Sequence, residues 1–289
     1  MQENQYIWFD NKQIFLSEAK IPLLTHGLHY ASSVFEGIRV YNGTIFMLEE
    51  HIDRLFISSQ LLDMKINFSK QEILTACHNI VKANFINNGY IRPFVWRGSE
   101  RIQIAAPHST IHVAIAAWEA GERYKAPLDL TKGQRLITGD FKRPPAECMP
   151  YKSKCAGNYT IGTIEKHKAI AKGYDDALLL DYRGYIAEST SANIFLIIND
   201  ELHTPIPDCF LNGLTRQTII QLANKIGIKI VERHIMGEEL KQAKDVFITS
   251  TTLEIMPINA INNYIFSRHQ ITNNLMNEFI ALASIKFAV

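Results

Sequence analysis

Apolar positions along this chain follow two periods, and the alternation between them predicts its elements. Short apolar runs at Tyr6–Phe9 and Gln13–Leu16 flank Asp10-Asn11-Lys12 and predict two strands about a turn. Val34–Leu48 contains VYNGTIF, where Asn42-Gly43 between apolar runs predicts a hairpin, because both central residues of a type I′ turn need positive φ. The period then changes to that of a helix. Ile52, Leu55, Phe56, Ser59 and Leu62 share one face over Glu49–Leu62, with Arg54 off that stripe. Ser69-x-x-Glu72 is a capping box that opens a second helix, with Ile73, Leu74, Cys77, Ile80 and Val81 inward and Asn88-Gly89 as its stop. Ile91–Arg97 and Ile111–Trp118 read as buried strands. The segment 1–119 is therefore expected to be an α+β domain.

AGERYKAPLDLTK, residues 120–132, is polar and contains Pro127, which predicts an interdomain linker. The remainder, 133–289, reads as a second, α/β domain. Its expected strands are Gln134–Thr138, Ala177–Leu180, Tyr185–Glu188, Ile194–Ile198, Ile228–Glu232 and Val246–Thr249. Its expected helices are the run Tyr159–Lys172, Thr215–Ile226 closed by Gly227, a short Glu238–Ala243, and a terminal Ile271–Phe287.

Composition narrows the class. The chain has 289 residues, 47% hydrophobic and 20% charged, enough for two globular domains. A formal net charge of +1 provides no electrostatic footprint for nucleic acid or an acidic membrane. Cys77, Cys148, Cys155 and Cys209 form no C-x-x-C pair, and a cytoplasmic location is the simplest expectation. MQENQYIWFD has neither the basic nor the apolar part of a signal peptide, and no apolar run reaches membrane-spanning length.

The candidate chemistry centres on PYKSKCAGNY, Pro150–Tyr159. A lysine between a Pro-punctuated loop and small residues can approach a ligand. Deprived of solvent, its pKa falls and its amine becomes a nucleophile towards aldehydes. The same residues also suit a solvated charge, and this argument does not separate Lys152 from Lys154. LNGLTRQT, Leu211–Thr218, leads a glycine into a helix whose first-turn N–H groups can bind an anion, unless Thr215 only caps its own helix. Thr249–Thr252, at a strand end, can form a second anion nest or be an ordinary polar loop. Arg54 can meet the same anion through its planar fork. Glu188, at another strand end, suits a protonated ring nitrogen or a surface position. GxxxxGK[ST], GxGxxG and GxSxG do not occur. His26 and His29 have helical metal spacing but no third ligand nearby, which favours packing or hydrogen-bonding histidines. An anion site, an aldehyde-reactive lysine and a carboxylate for a pyridinium are together what pyridoxal 5′-phosphate requires.

HGLHYASSVFEGIRVYNG, EHIDRL, YIRP, KCAGNY, GYDDALLLDYRGYIAESTSANIF, TPIPDCFLNGLTRQT and DVFITSTTLEIMP follow one another from about Thr25 to Pro257. In this order they resemble the class IV (fold type IV) pyridoxal-phosphate aminotransferases, most closely the branched-chain amino acid aminotransferases. The resemblance implies two α/β domains with the cofactor between them, and a homodimer or higher oligomer. It implies Lys154 as the residue that carries the cofactor and moves the proton, with Tyr159 at the cofactor's phenolic oxygen and Glu188 at its ring nitrogen. Arg54, Leu214, Thr215, Ser250 and Thr251 would hold the phosphate. Tyr30, Phe35, Arg39, Tyr90, Arg92 and Thr252 would line the substrate pocket, and Arg101–Pro107 would reach the partner subunit. The implied reaction moves the amino group of L-leucine, L-isoleucine or L-valine to 2-oxoglutarate, giving branched 2-oxo acids and L-glutamate.

The sequence departs from that pattern at Ser250-Thr251-Thr252, in WEAGERY around Ala120, where Tyr124 can replace a missing aromatic, and at Arg101–Ile104. The first departure is more like D-amino acid aminotransferases. These departures bear on substrate range and keep a D-amino acid or amine transaminase, and an aminodeoxychorismate lyase, as alternatives. A non-catalytic binding protein is disfavoured because Lys154, Tyr159 and Glu188 are all present.

Overall fold

A computed structural model describes residues 5–119 and 133–285. The expected linker at 120–132, with Ala120 and Tyr124, lies outside the described residues, as does the end of the expected terminal helix beyond Ile285. The described chain divides into two compact units: residues 5–119 with Ser153–Gly157, and residues 133–152 with Asn158–Ile285.

The first unit contains β1 (Tyr6–Phe9), β2 (Lys12–Phe15), α1 (His26–Tyr30), β3 (Ser33–Phe35), β4 (Ile38–Tyr41), β5 (Thr44–Ile45), α2 (Leu48–Gln60), α3 (Lys70–Ala83), β6 (Gly89–Arg97) and β7 (Ile111–Glu119). Its strands form an antiparallel sheet in the order β2-β1-β7-β6-β4-β5, with β3 added on β6. The expected hairpin forms at Asn42-Gly43, with φ of 46° and 78°. Ile52 and Leu55 of α2 and Ile73, Cys77 and Ile80 of α3 join Ile38, Ile91, Val95, Val113 and Ile115 of the sheet in one core. Two boundaries differ from the sequence expectation. Asp10 and Asn11 both take positive φ, so the first turn is tighter and β2 ends at Phe15. Helix α3 does not run to Asn88-Gly89. It ends at Ala83, where the Asn84 side chain donates to Ile80 O and to Tyr6 O and ties the helix end to β1.

The second unit contains β8 (Gln134–Thr138), α4 (Thr160–Ala171), β9 (Asp176–Leu180), β10 (Ile186–Ser189), β11 (Asn193–Ile198), β12 (Glu201–Thr204), α5 (Leu214–Lys225), β13 (Ile230–Glu232), β14 (Asp245–Ser250), β15 (Glu254–Ile261), β16 (Tyr264–Ile265) and α6 (Gln270–Ile285). The strand order is β10-β9-β8-β15-β14-β11-β12-β13, and β16 pairs with β15. A further pairing of β10 with β11, at Glu188 and Asn193, closes part of this sheet on itself. Ile194–Ile197 and Val246–Ile248 are fully buried, as continuous apolar strands covered on both faces should be. Strands β12, β15 and β16 were not legible in the sequence pattern. The segment expected as a short helix at Glu238–Ala243 is a 3-10 segment, Gly237–Gln242.

The lysine stretch does not follow the expected division. Residues 153–157 pack within the first unit rather than with the C-terminal residues. The cause is local bonding: Ser153 and Lys154 hydrogen-bond to Ser58 of α2, and Cys155 pairs with Val34 of β3.

Candidate active site

Within the first unit, the main chain of Lys154 is held on both sides. Its N–H donates to Ser58 Oγ at 2.9 Å, and its carbonyl accepts from Phe35 N–H at 3.2 Å. The side chain is half-buried, with Nζ 5.0 Å from the centroid of the Phe35 ring. Arg92 also lies against that ring, its guanidinium carbon 4.7 Å from the centroid, and its NH2 donates to the Tyr90 hydroxyl at 3.4 Å. Lys152 is exposed, its Nζ 5.8 Å from the centroid of Tyr151. The two lysines that residue chemistry alone left unseparated, and between which the family resemblance points to Lys154, thus occupy different environments. Phe35, Tyr90, Arg92 and Lys154 come together. Arg39 is buried beside them by register, opposite Tyr90, with its guanidinium over Tyr41. Tyr30 is exposed at the end of α1, with its ring against His26.

Arg54 is not the solvated arginine that its position off the apolar stripe suggests. Its Nε and NH2 donate to Glu36 at 2.6 and 2.9 Å, and Glu36 has no exposed surface. His51 Nδ1 donates to the same carboxylate at 2.7 Å. Burial is the largest influence on Glu36 and pushes its pKa upward. The Arg54 and His51 contacts together outweigh it and hold the carboxyl well below the ordinary 4.5. Burial lowers the pKa of His51. Glu36 opposes that shift, and the Arg54 and Lys154 charges add to it. His51 is therefore a neutral imidazole at neutral pH, donating from Nδ1.

Within the second unit, Glu188 on β10 is buried and its Oε1 meets Arg143 NH2 at 2.8 Å. Arg143 also donates to Asn158 O at 2.8 Å, one residue before Tyr159. Tyr159 is half-buried and leads directly into α4. Gly213, not Thr215, is the N-cap of α5, and no side chain caps it. Leu214 and Thr215 are the first-turn residues, and Thr215 is buried. The Asn193 side chain accepts from Gly213 N–H and donates to Leu211 O, each at 3.0 Å, and so fixes where this helix starts. Ser250, Thr251 and Thr252 form the turn from β14 to β15. Ser250 Oγ lies 3.2 Å from Thr252 Oγ1 and accepts from Leu253 N–H at 3.2 Å.

Glu36, His51, Ser58 and Arg143 were missed by sequence reasoning. His51, Arg54 and Ser58 lie at helical spacing on α2, which is the one signal that could have grouped three of them. His26 and His29 are satisfied by protein partners, Nε2 of each facing a carbonyl, Gln103 O at 3.0 Å and Leu23 O at 3.1 Å. Both are hydrogen-bonding histidines, as expected from the absence of a third ligand in the sequence nearby.

The donor set matches three chemistries. A half-buried amine suits an aldehyde. A helix N-terminus without a side-chain cap, and an arginine fixed by a carboxylate, suit an anion. A buried carboxylate held by Arg143 suits a cationic ring.

Residues 33–261 match the family described as Amino-transferase class IV. The chain belongs to the class IV aminotransferases. Among similar proteins, a probable branched-chain-amino-acid aminotransferase of Rickettsia felis is 39% identical over 278 residues, 95% of this chain and 94% of that one. The branched-chain-amino-acid aminotransferase of Pseudomonas aeruginosa is 37% identical over 285 residues, 96% of this chain and 92% of that one. Among solved structures, a T.th. branched-chain amino acid aminotransferase with pyridoxamine 5′-phosphate is 32% identical with a TM-score of 0.93, over 99% of this chain and 96% of that one. The expected fold type IV architecture and class IV aminotransferase activity therefore hold.

Proposed function

We propose that this class IV aminotransferase binds pyridoxal 5′-phosphate and transfers the amino group of branched-chain L-amino acids to 2-oxoglutarate, in two half-reactions. The observation that carries the reading is the grouping of the Lys154 amine and the Arg92 guanidinium on one Phe35 ring, 5.0 and 4.7 Å from its centroid. A nucleophilic amine, an apolar wall and a carboxylate-binding cation stand together there. The names of the two bacterial relatives and of the solved structure with pyridoxamine 5′-phosphate support the same substrate class.

When bound, the cofactor supplies an electron sink for the pair released at the substrate Cα. Lys154 binds the cofactor and then carries the proton to and from Cα at Nζ. Glu188 accepts a hydrogen bond from the ring nitrogen, and Arg143 orients that carboxylate. Tyr159 donates to the phenolic oxygen. Arg54, the N–H groups of Leu214 and Thr215, and Ser250 and Thr251 hold the phosphate. Phe35 and Tyr90 face the branched side chain. Arg92 and Arg39 receive carboxylates, which lets one pocket take both an apolar amino acid and 2-oxoglutarate. Tyr30 and Thr252 complete its edge.

A second copy of the chain is the proposed partner. Leu23, Leu24, Leu28 and Ile104 are 81%, 55%, 60% and 77% exposed, an apolar set larger than scattered surface leucines require. The His26 bond to Gln103 O joins the two segments that carry them. Arg101–Pro107 would contact the partner there. A cytoplasmic location is supported by the four cysteines, none of which is in a disulfide. Among the described residues, no helix is long and apolar enough to cross a membrane.

The test is a panel of half-reactions on purified, cofactor-loaded protein, followed by absorbance. L-leucine, L-isoleucine and L-valine are expected to convert the cofactor to its amino form, and 2-oxoglutarate to restore it. Conversion by D-alanine and not by L-leucine would overturn the substrate assignment and favour a D-amino acid transaminase.

A further inference from the structure

We infer that Ser58 is a positioning residue for Lys154: it fixes the lysine main chain to the face of α2 that carries Arg54, and so sets the spacing between amine and phosphate anchor. The inference rests on the reading of Lys154 and Arg54 given above.

Ser58 is fully buried near the end of α2. Its hydroxyl oxygen accepts the Lys154 N–H at 2.9 Å, and its carbonyl accepts the Ser153 hydroxyl at 3.0 Å. Ser153 is itself buried. The next serine, Ser59, has a local task, donating to Met64 O to close the turn after the helix. The hydroxyl of Ser58 instead serves a residue 96 positions away in sequence. Arg54 precedes Ser58 by one helical turn, so both project from the same side of a rigid element. On the other side, Phe35 N–H holds the Lys154 carbonyl at 3.2 Å. Both main-chain polar groups of Lys154 are thus anchored, and the reach of its amine is set by the side-chain torsions alone.

That matters for a group that must meet an aldehyde carbon from one direction. The Nζ lone pair attacks the aldehyde carbon, a C=N bond replaces the C=O bond, and the oxygen leaves as water with the two amine protons. A fixed main chain removes conformations from which the bond cannot form. Loss of the Ser58 hydroxyl should therefore weaken the covalent part of cofactor binding and spare the phosphate part, which does not depend on the lysine.

Pyridoxamine 5′-phosphate separates the two parts. It has the same phosphate but an amine in place of the aldehyde, and it forms no bond with lysine. Cofactor-free wild type, Ser58→Ala and Ser58→Thr are titrated with each compound by tryptophan fluorescence. We expect Ser58→Ala to bind pyridoxal 5′-phosphate about 3- to 10-fold more weakly, the worth of one hydrogen bond, with affinity for pyridoxamine 5′-phosphate changed less than about twofold. Ser58→Thr, which keeps the oxygen, should recover most of the difference. Equal weakening of both compounds, with a lowered thermal midpoint, would make Ser58 merely structural and overturn the inference, as would unchanged affinity for the aldehyde. If the wild type binds neither compound, the cofactor reading fails first and this inference with it.

Discussion

Arg54 gives two of its nitrogens, at 2.6 and 2.9 Å, to the fully buried carboxylate of Glu36. The pair is a planar fork on a carboxylate, with His51 as a third donor. Removing one partner of such a pair leaves the other buried and uncompensated. Glu36→Ala should therefore lower stability by about 3–5 kcal/mol, read as a lower denaturant midpoint of the cofactor-free chain. A loss under about 1 kcal/mol would mean that Arg54 relaxes to solvent.

The same cluster predicts acid sensitivity. Burial and the nearby Arg54 and Lys154 charges hold His51 below its ordinary 6.5, so on acidification the unfolded chain takes up this proton first. Stability from this group is complete above about pH 6.5 and is lost as pH falls towards the folded-state value. Glu36, also depressed, adds a second loss below its ordinary 4.5. His51→Gln should flatten the upper window, removing a slope that approaches about 1.4 kcal/mol per pH unit. Denaturant midpoints of wild type and variant between these two values check it.

Gly37 separates Glu36 from β4, and a Cβ there would overlap the Tyr90 hydroxyl. Gly37→Ala must displace that ring, whose hydroxyl accepts from Arg92 NH2. The expected result is KM for the amino acid raised about tenfold or more, since displacements near 1 Å at a binding group have costs of this order. Affinity for pyridoxamine 5′-phosphate should stay close to wild type. Equal losses in both would show that the substitution disturbs the unit as a whole.

Gly213 is packed against Asn193, whose amide oxygen accepts its N–H at 3.0 Å. A Cβ at this position would overlap that oxygen. Gly213→Ala should shift the start of α5, cost about 1–3 kcal/mol of stability, and weaken inorganic phosphate binding to the cofactor-free chain. Competition of phosphate with pyridoxal 5′-phosphate reads the second effect.

What the sequence made legible was local or periodic. The Asn42-Gly43 hairpin, the Ser69–Glu72 capping box and the buried stripe Ile52–Leu55 are each decided within a few residues. β15 escaped because Pro257 interrupts its apolar pattern, although it pairs opposite Phe247 in the middle of the sheet. β12 is four residues long and continues directly from the Asn199-Asp200 turn. At the site, residue chemistry marked a lysine but could not choose between Lys152 and Lys154. That choice depends on Ser58 and Phe35, which are distant in sequence. Glu36 and Arg143 were invisible for the same reason. Each is explained by a partner, Arg54 or Glu188, that only folding brings near.

Borohydride reduction of the cofactor-loaded enzyme, followed by peptide mapping, decides which lysine carries the cofactor. The expected outcome is a single phosphopyridoxyl label on Lys154, in the peptide that also contains Cys155, with none on the exposed Lys152. Label on Lys152, or a cofactor that washes out unlabelled after reduction, would contradict it.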